Sequence, residues 1–154
     1  MHFCAMEKLA FPPFDFKIKS KENTYLIFDI IRKKWILLTP EEWVRQHSVH
    51  FLIEQKKAIP SCMAVEKQIE LPGNVMKRYD IVVFTANAEI ALLVECKSPK
   101  VSINQHTFDQ IAQYNSALKS KFLMLTNGLH HYFCQMDFKN QTYRFIDELP
   151  VFEK

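Results

Sequence analysis

Glycine is almost absent: the 154-residue chain carries two, Gly73 and Gly128. A phosphate-cradling G-x-x-x-x-G-K loop and a dinucleotide fingerprint each need glycines at short, fixed spacings. Neither can be written with these two, which excludes nucleotide binding through such loops and leaves no visible ATP-driven motor. Long apolar runs are also missing. The longest extends only from Ile90 to Val94, far short of the roughly 20 residues a membrane helix needs. Of the four cysteines, Cys4, Cys62, Cys96 and Cys134, no two form a C-x-x-C pair, and a chain this long does not depend on disulfide staples. The stretch Met1 to Lys8 lacks a basic segment followed by an unbroken apolar core, so no signal peptide is expected. These absences predict a soluble protein of the reducing cytoplasm with no membrane partner. Neither charge sign dominates: the net charge of +3 permits a polyanionic partner without demanding one.

Hydrophobic residues make up 48% of the chain, and 13 of them are Phe, so one sizeable, ring-rich core is expected within a single domain. Residues 1 to 24 read as an arm punctuated by Phe11-Pro12-Pro13-Phe14, with Lys17, Lys19 and Lys21 forming a solvated edge. Tyr25 to Ile31 and Trp35 to Leu38 predict a small hairpin around Arg32-Lys33-Lys34. Thr39, Pro40 and Glu42 predict a helix start, with the helix running to about Gln55 and burying Val44, Phe51 and Leu52. A strand through Val65, Ile69 and Leu71 precedes the turn Pro72-Gly73-Asn74. Strands at 77 to 84 and 89 to 97 follow, joined at Thr85 to Ala88. A helix over 104 to 119 then leads to strands at 122 to 126, 130 to 136 and 143 to 146. Tight turns predict antiparallel neighbours, whereas a crossover through a helix predicts a parallel pair. The expected result is a mixed sheet with a helix on each face.

The strand ending at Lys97 carries the chemistry. Ile90, Leu92, Val94 and Cys96 alternate with Ala91, Leu93, Glu95 and Lys97. A central strand covered on both sides should be apolar throughout, and partly burying two charges at its end costs several kcal/mol each by rough estimate unless they are compensated. A tight hairpin places Asp80 opposite Leu93, diagonal to Glu95, and on the face of Glu95 and Lys97. Two carboxylates and an ammonium suit Mg²⁺, which takes hard oxygen ligands and keeps several waters. A structural ion pair without metal remains the alternative.

Tyr79-Asp80 followed by Val94-Glu95-Cys96-Lys97 resembles the PD-(D/E)XK nuclease superfamily. More narrowly, Ile27-Phe28-Asp29, Arg32-Lys33-Lys34, Leu38 to Gln46 and Thr126-Asn127-Gly128 resemble the N-terminal nuclease domain of type I restriction enzyme R subunits, in its stand-alone form. The resemblance spans roughly residues 25 to 137. It implies a restriction-endonuclease-like three-layer α/β/α fold with a central mixed sheet (helix, three strands, helix, strand) and an added N-terminal hairpin. The domain of 1–154 then divides into an arm (1–24), a hairpin (25–38), a core (39–137) and a C-terminal strand and tail (138–154). It further implies a DNA endonuclease of restriction or repair type. Asp80, Glu95 and the Cys96 carbonyl would be ligands of Mg²⁺ or Mn²⁺, and Lys97 would serve the attacking water. Gln110 and Tyr114 resemble an accessory Q-x-x-x-Y motif, although a polar solvent face explains them equally. Glu42 matches an extra acidic ligand, although helix capping explains it more simply, and Glu66 reads as exposed near the site. Tyr79 stands where the motif's name has proline, and the motor that accompanies R subunits is missing. Implied partners are DNA and a separate motor or specificity subunit, with a homodimer also open. A non-catalytic DNA-binding or interaction subunit on the same scaffold is the alternative function. His47, His50, His130, His131 and Cys134 do not converge at zinc-ligand spacing.

Overall fold

Thr39 and Pro40 start the first helix as their side chains dictate: the Thr39 hydroxyl accepts from the Glu42 N–H at 3.1 Å, and Pro40 occupies the first turn. The computed structural model describes residues 6–152, so Cys4 and the first residues of the expected arm lie outside the described residues. In chain order the elements are β1 (Ile18–Lys21), β2 (Thr24–Asp29), β3 (Lys34–Leu37), α1 (Pro40–Glu54), β4 (Met63–Leu71), β5 (Val75–Phe84), β6 (Ile90–Cys96), α2 (Gln105–Leu118), β7 (Phe122–Thr126), β8 (His131–Asp137) and β9 (Thr142–Ile146). Strands β4 to β9 form a six-stranded sheet in sequential order, antiparallel except for the parallel pair β6–β7. Strands β1 to β3 form a separate antiparallel sheet.

The large sheet is covered on both faces. Val44, Val49 and Leu52 of α1 join Ile81, Val83, Leu92, Val94 and Cys96 in one apolar cluster. Phe108 and Ile111 of α2 join Tyr79, Val82, Leu93, Leu123 and Leu125 in the other. This is the expected mixed α/β sandwich.

Two expectations change. The N-terminal stretch is no loose arm, because β1 pairs with β2, and Phe11 and Phe16 pack into the α1-side cluster. Helix α1 is consequently buried on nearly every side, from Glu42 through His50 and at Leu52, rather than along one stripe. Phe11, Phe14 and Phe16 lie against His47, and burial pushes that imidazole down to about 4.

Gly128 locks this layer to the sheet. Its φ is +88°, and a Cβ there would lie 2.8 Å from Leu9 Cδ2 and 3.0 Å from Val44 Cγ2. Gly128→Ala is expected to cost about 1–3 kcal/mol through backbone strain and overpacking. A shift of the urea midpoint at unchanged slope would register that loss; an unshifted midpoint would contradict it.

Candidate active site

The β5–β6 hairpin carries two residues more than a tight Thr85–Ala88 turn predicts, one in the turn, where the Thr85 N–H bonds to Glu89 O, and one at a bulge. Val83 pairs with Leu92 but Phe84 pairs with Ile90, so Ala91 is extra and the ladder is bulged. Val82, not Asp80, stands opposite Leu93. The bulge also turns Ile90 away from Leu92 and Val94 and into the α2-side cluster.

The ladder between β5 and β6 ends at Ile81–Val94. Beyond it the Cys96 N–H donates to Asp80 Oδ2 at 2.8 Å. A strand N–H points within the sheet plane, so the Asp80 carboxylate fills the gap where the two strands part. Alternation breaks at the same place: Tyr79 and Val82 belong to the α2-side cluster, while Ile81 and Val83 belong to the α1-side cluster. On β4 the ladder passes from Val65–Ile81 to Lys67–Tyr79, and the intervening Glu66 adopts φ +56°. The expectation of one shared flat face is therefore replaced by an in-plane Asp80 beside a Glu95 that faces α2.

Glu95 is 7% exposed. Its Oε2 lies 3.5 Å from Lys77 Nζ, and its Oε1 is buried with no hydrogen-bond partner. Burial, and then the charge of Asp80, push its carboxyl up to about 7 against the pull of Lys77 and Lys97. Burial likewise holds Asp80 above the usual carboxylate range, opposed by the Cys96 N–H and Arg45. Lys97 is half-buried, its N–H bonded to Thr126 O at 2.8 Å, and its charge acts on both carboxylates. The Cys96 side chain points away into the α1-side cluster, with Sγ 3.8 Å from Ser48 Oγ.

The carboxylates' direct ion-pair partners are residues the sequence reading did not single out. Arg45 of α1 places Nη2 3.3 Å from Asp80 Oδ1 and Nη1 2.6 Å from Glu66 Oε1 and 3.4 Å from Glu42 Oε1. Glu66 is thus tied to Arg45 rather than freely exposed. The Glu42 carboxylate also meets Arg32 at 2.8 Å and Gln46 at 2.9 Å, and Arg32 meets Asp29 at 2.6 Å. Glu42 therefore sits one arginine away from Asp80. On the other side, Lys77 lies 5.2 Å from the Tyr79 ring centroid and 5.7 Å from that of Tyr114. Tyr114 is thereby brought to the neighbourhood of Glu95, whereas Gln110 is exposed on α2. The spacing of Glu42 and Arg45 on one helix face was the one legible sign of this network.

Among the described residues, no three His, Cys, Asp or Glu side chains group as a ready metal-ligand set. The pair Asp80 and Glu95, with the Cys96 carbonyl, nevertheless suits a hard cation that takes one or two carboxylates and retains water. The orphaned Glu95 Oε1 is the atom such a cation would satisfy. Without a cation, a proton serves the same purpose. Glu95 is more basic folded than unfolded, so its stabilising contribution is complete below about 4.5 and is lost as pH rises through about 7. In chelator, the stability of wild type minus that of Glu95→Gln should therefore decline between pH 4.5 and 7. Parallel curves for the two proteins in chemical denaturation would contradict the perturbed carboxyl.

Comparison with known proteins bears on the family and the fold. Residues 40–150 match the family model described as type I restriction enzyme R protein N terminus. A fragment structure of a protein assigned as an HsdR subunit of a type I restriction enzyme from Vibrio vulnificus YJ016 is 21% identical, with a TM-score of 0.50. That similarity covers 74% of this chain but 24% of the Vibrio chain, so this chain matches about a quarter of its length. A crystal structure of a protein assigned as a nuclease from Anabaena variabilis ATCC 29413 is 16% identical over 84% of this chain and 80% of that one, with a TM-score of 0.46. No curated protein matches the chain.

Proposed function

The chain belongs to the family of type I restriction enzyme R protein N termini, and on that footing we propose that it is a metal-dependent deoxyribonuclease. The observation that carries the reading is the partnerless Glu95 Oε1, held beside Asp80 at the ends of the central strands. Asp80, Glu95 and the Cys96 carbonyl would hold Mg²⁺ or Mn²⁺. When bound, the cation supplies a water of lowered pKa and a counter-charge for the phosphate.

The protein's own residues do the rest. The Cys96 N–H and Arg45 fix the two oxygens of Asp80, so that ligand is positioned before any cation arrives. Burial keeps water from solvating Glu95 and strengthens its attraction to a cation. Lys97 orients the attacking water or balances the charge growing on the phosphate. DNA is the proposed substrate, with a separate motor or specificity subunit as a further partner.

The test is cutting of labelled single-stranded, duplex and branched DNA with Mg²⁺, with Mn²⁺ and with chelator, alongside calorimetric metal binding. Cutting that requires the divalent metal is the expected result. Protein that binds no divalent metal and cuts none of these substrates would instead be a non-catalytic subunit on a nuclease scaffold.

A further inference from the structure

The small sheet has two unlike faces. Ile18, Ile27 and Ile36 are paired neighbours across β1, β2 and β3, and all three pack into the α1-side cluster. The alternate positions form the outer face: Lys17, Lys19 and Lys21 along one edge, Phe28 in the middle, Trp35 and Leu37 along the other. Trp35 is 37% exposed and Leu37 50% exposed. An apolar face of this kind normally finds a partner, and this one is rimmed by cations.

The aromatic rings carry those cations directly. Lys19 Nζ lies 4.2 Å from the Trp35 ring centroid and Lys17 Nζ 5.8 Å from that of Phe28, while the two rings meet edge to face at 5.4 Å. No carboxylate occupies the outer positions of these three strands. The same small sheet reaches toward the candidate site through the turn after β2, whose Arg32 pairs with Glu42 and lies 3.6 Å from Glu66.

We infer that this outer face binds single-stranded nucleic acid, with a base stacked on Trp35 and the neighbouring phosphates on Lys17, Lys19 and Lys21. A surface cation over an indole contributes about 0.5–1 kcal/mol, less than the roughly 1–3 kcal/mol of a base stacked on an aromatic ring. The incoming base therefore displaces the Lys19 ammonium, and the released ammonium pairs with a phosphate. The exchange leaves each cation with a partner. Duplex DNA fits less well, since its bases are already stacked on one another. The inference deepens the nuclease reading by naming the form of DNA the surface holds, but it does not depend on cutting.

Tryptophan emission tests it in the intact protein. The chain has two tryptophans, and Trp43 is buried with its indole N–H bonded to Glu7 O at 2.7 Å. Trp35 is the one a base can reach. Titration with oligothymidylate in chelator should quench the emission, with an affinity that falls as salt rises. A duplex of equal length should bind more weakly and quench less. By anisotropy of a labelled oligonucleotide, Trp35→Leu should weaken binding about tenfold and abolish the quench. Lys19→Glu should also weaken binding and flatten the salt dependence. Trp35 is exposed, so circular dichroism should show both variants folded; should Trp35→Leu fail to fold, Lys19→Glu decides alone. Binding without quenching, wild-type affinity in both folded variants, or a dimer that Trp35→Leu breaks apart would overturn the inference. Cutting by protein that fails these tests would leave the nuclease reading standing, and binding through Trp35 by protein that never cuts would leave this one.

Discussion

Alanine at Asp80 or at Glu95 is expected to abolish metal-dependent DNA cutting. Each change removes one of the two carboxylates proposed to hold a cation that demands closely placed oxygen ligands. The two losses should differ in kind. Asp80→Ala also strips the acceptor from the Cys96 N–H and one partner from Arg45, so it disturbs the strand ends as well as the ligand set. Glu95→Ala removes a carboxyl that burial already raises to about 7, so the metal-free protein should be no less stable at neutral pH. Lys97→Ala should retain calorimetric metal binding and slow cutting by roughly a hundredfold or more, the range for losing one electrostatic stabiliser. Full-rate cutting by Lys97→Ala would discard the role given to that lysine while keeping the enzyme. Full-rate cutting by Asp80→Ala or Glu95→Ala would discard the site.

Arg45→Met is expected to be the most destabilising single change in the network, by about 3–5 kcal/mol. The arginine is buried and stands among Glu42, Glu66 and Asp80. Methionine replaces most of its volume but leaves the buried Glu42 and Asp80 without that cation. The destabilisation should shrink at low pH, where the abandoned carboxylates can take protons, and in the double variant Glu42→Gln/Arg45→Met. Urea unfolding at two pH values measures both effects. A loss below about 1 kcal/mol at neutral pH would mean that solvent, not Arg45, balances these charges.

Much of the fold could be read before any coordinates, because its signals are local. Thr39-Pro40 marks the start of α1, Asn104 caps α2 through the Thr107 N–H, and the apolar run before Glu95 marks a central strand. The parallel β6–β7 pair follows from the helix between those strands. What could not be read depends on pairing at a distance. The extra residue at Ala91 shifts the β5–β6 register by an amount that no turn motif announces, and it moves Ile90 to the other face. Lys17 to Lys21 carry no apolar alternation strong enough to mark β1, because only Ile18 of that strand reaches the core cluster. Arg45 and Lys77 look like ordinary surface charges in sequence; only the folded chain brings them to Asp80 and Glu95. The charges at the end of an apolar strand singled out Asp80, Glu95 and Lys97 and the family resemblance gave them roles, whereas the counter-ions around them were visible only in three dimensions.

The large sheet is two three-stranded meanders, β4 to β6 and β7 to β9, sewn together along one parallel seam. Every other pairing in this sheet joins strands linked by a short loop, so each meander gathers its contacts early. The seam alone must bridge the stretch containing α2, which makes it the slow, entropically costly closure. Glu95 and Cys96 lie on it, opposite Leu125 and Thr126. Asp80 and Glu95, by contrast, lie on β5 and β6 of one meander, so local pairing brings the two carboxylates together before the seam closes. A chain with its hairpins made but its seam open would hold both carboxylates together, yet would lack the β7 strand that flanks Glu95 and Cys96.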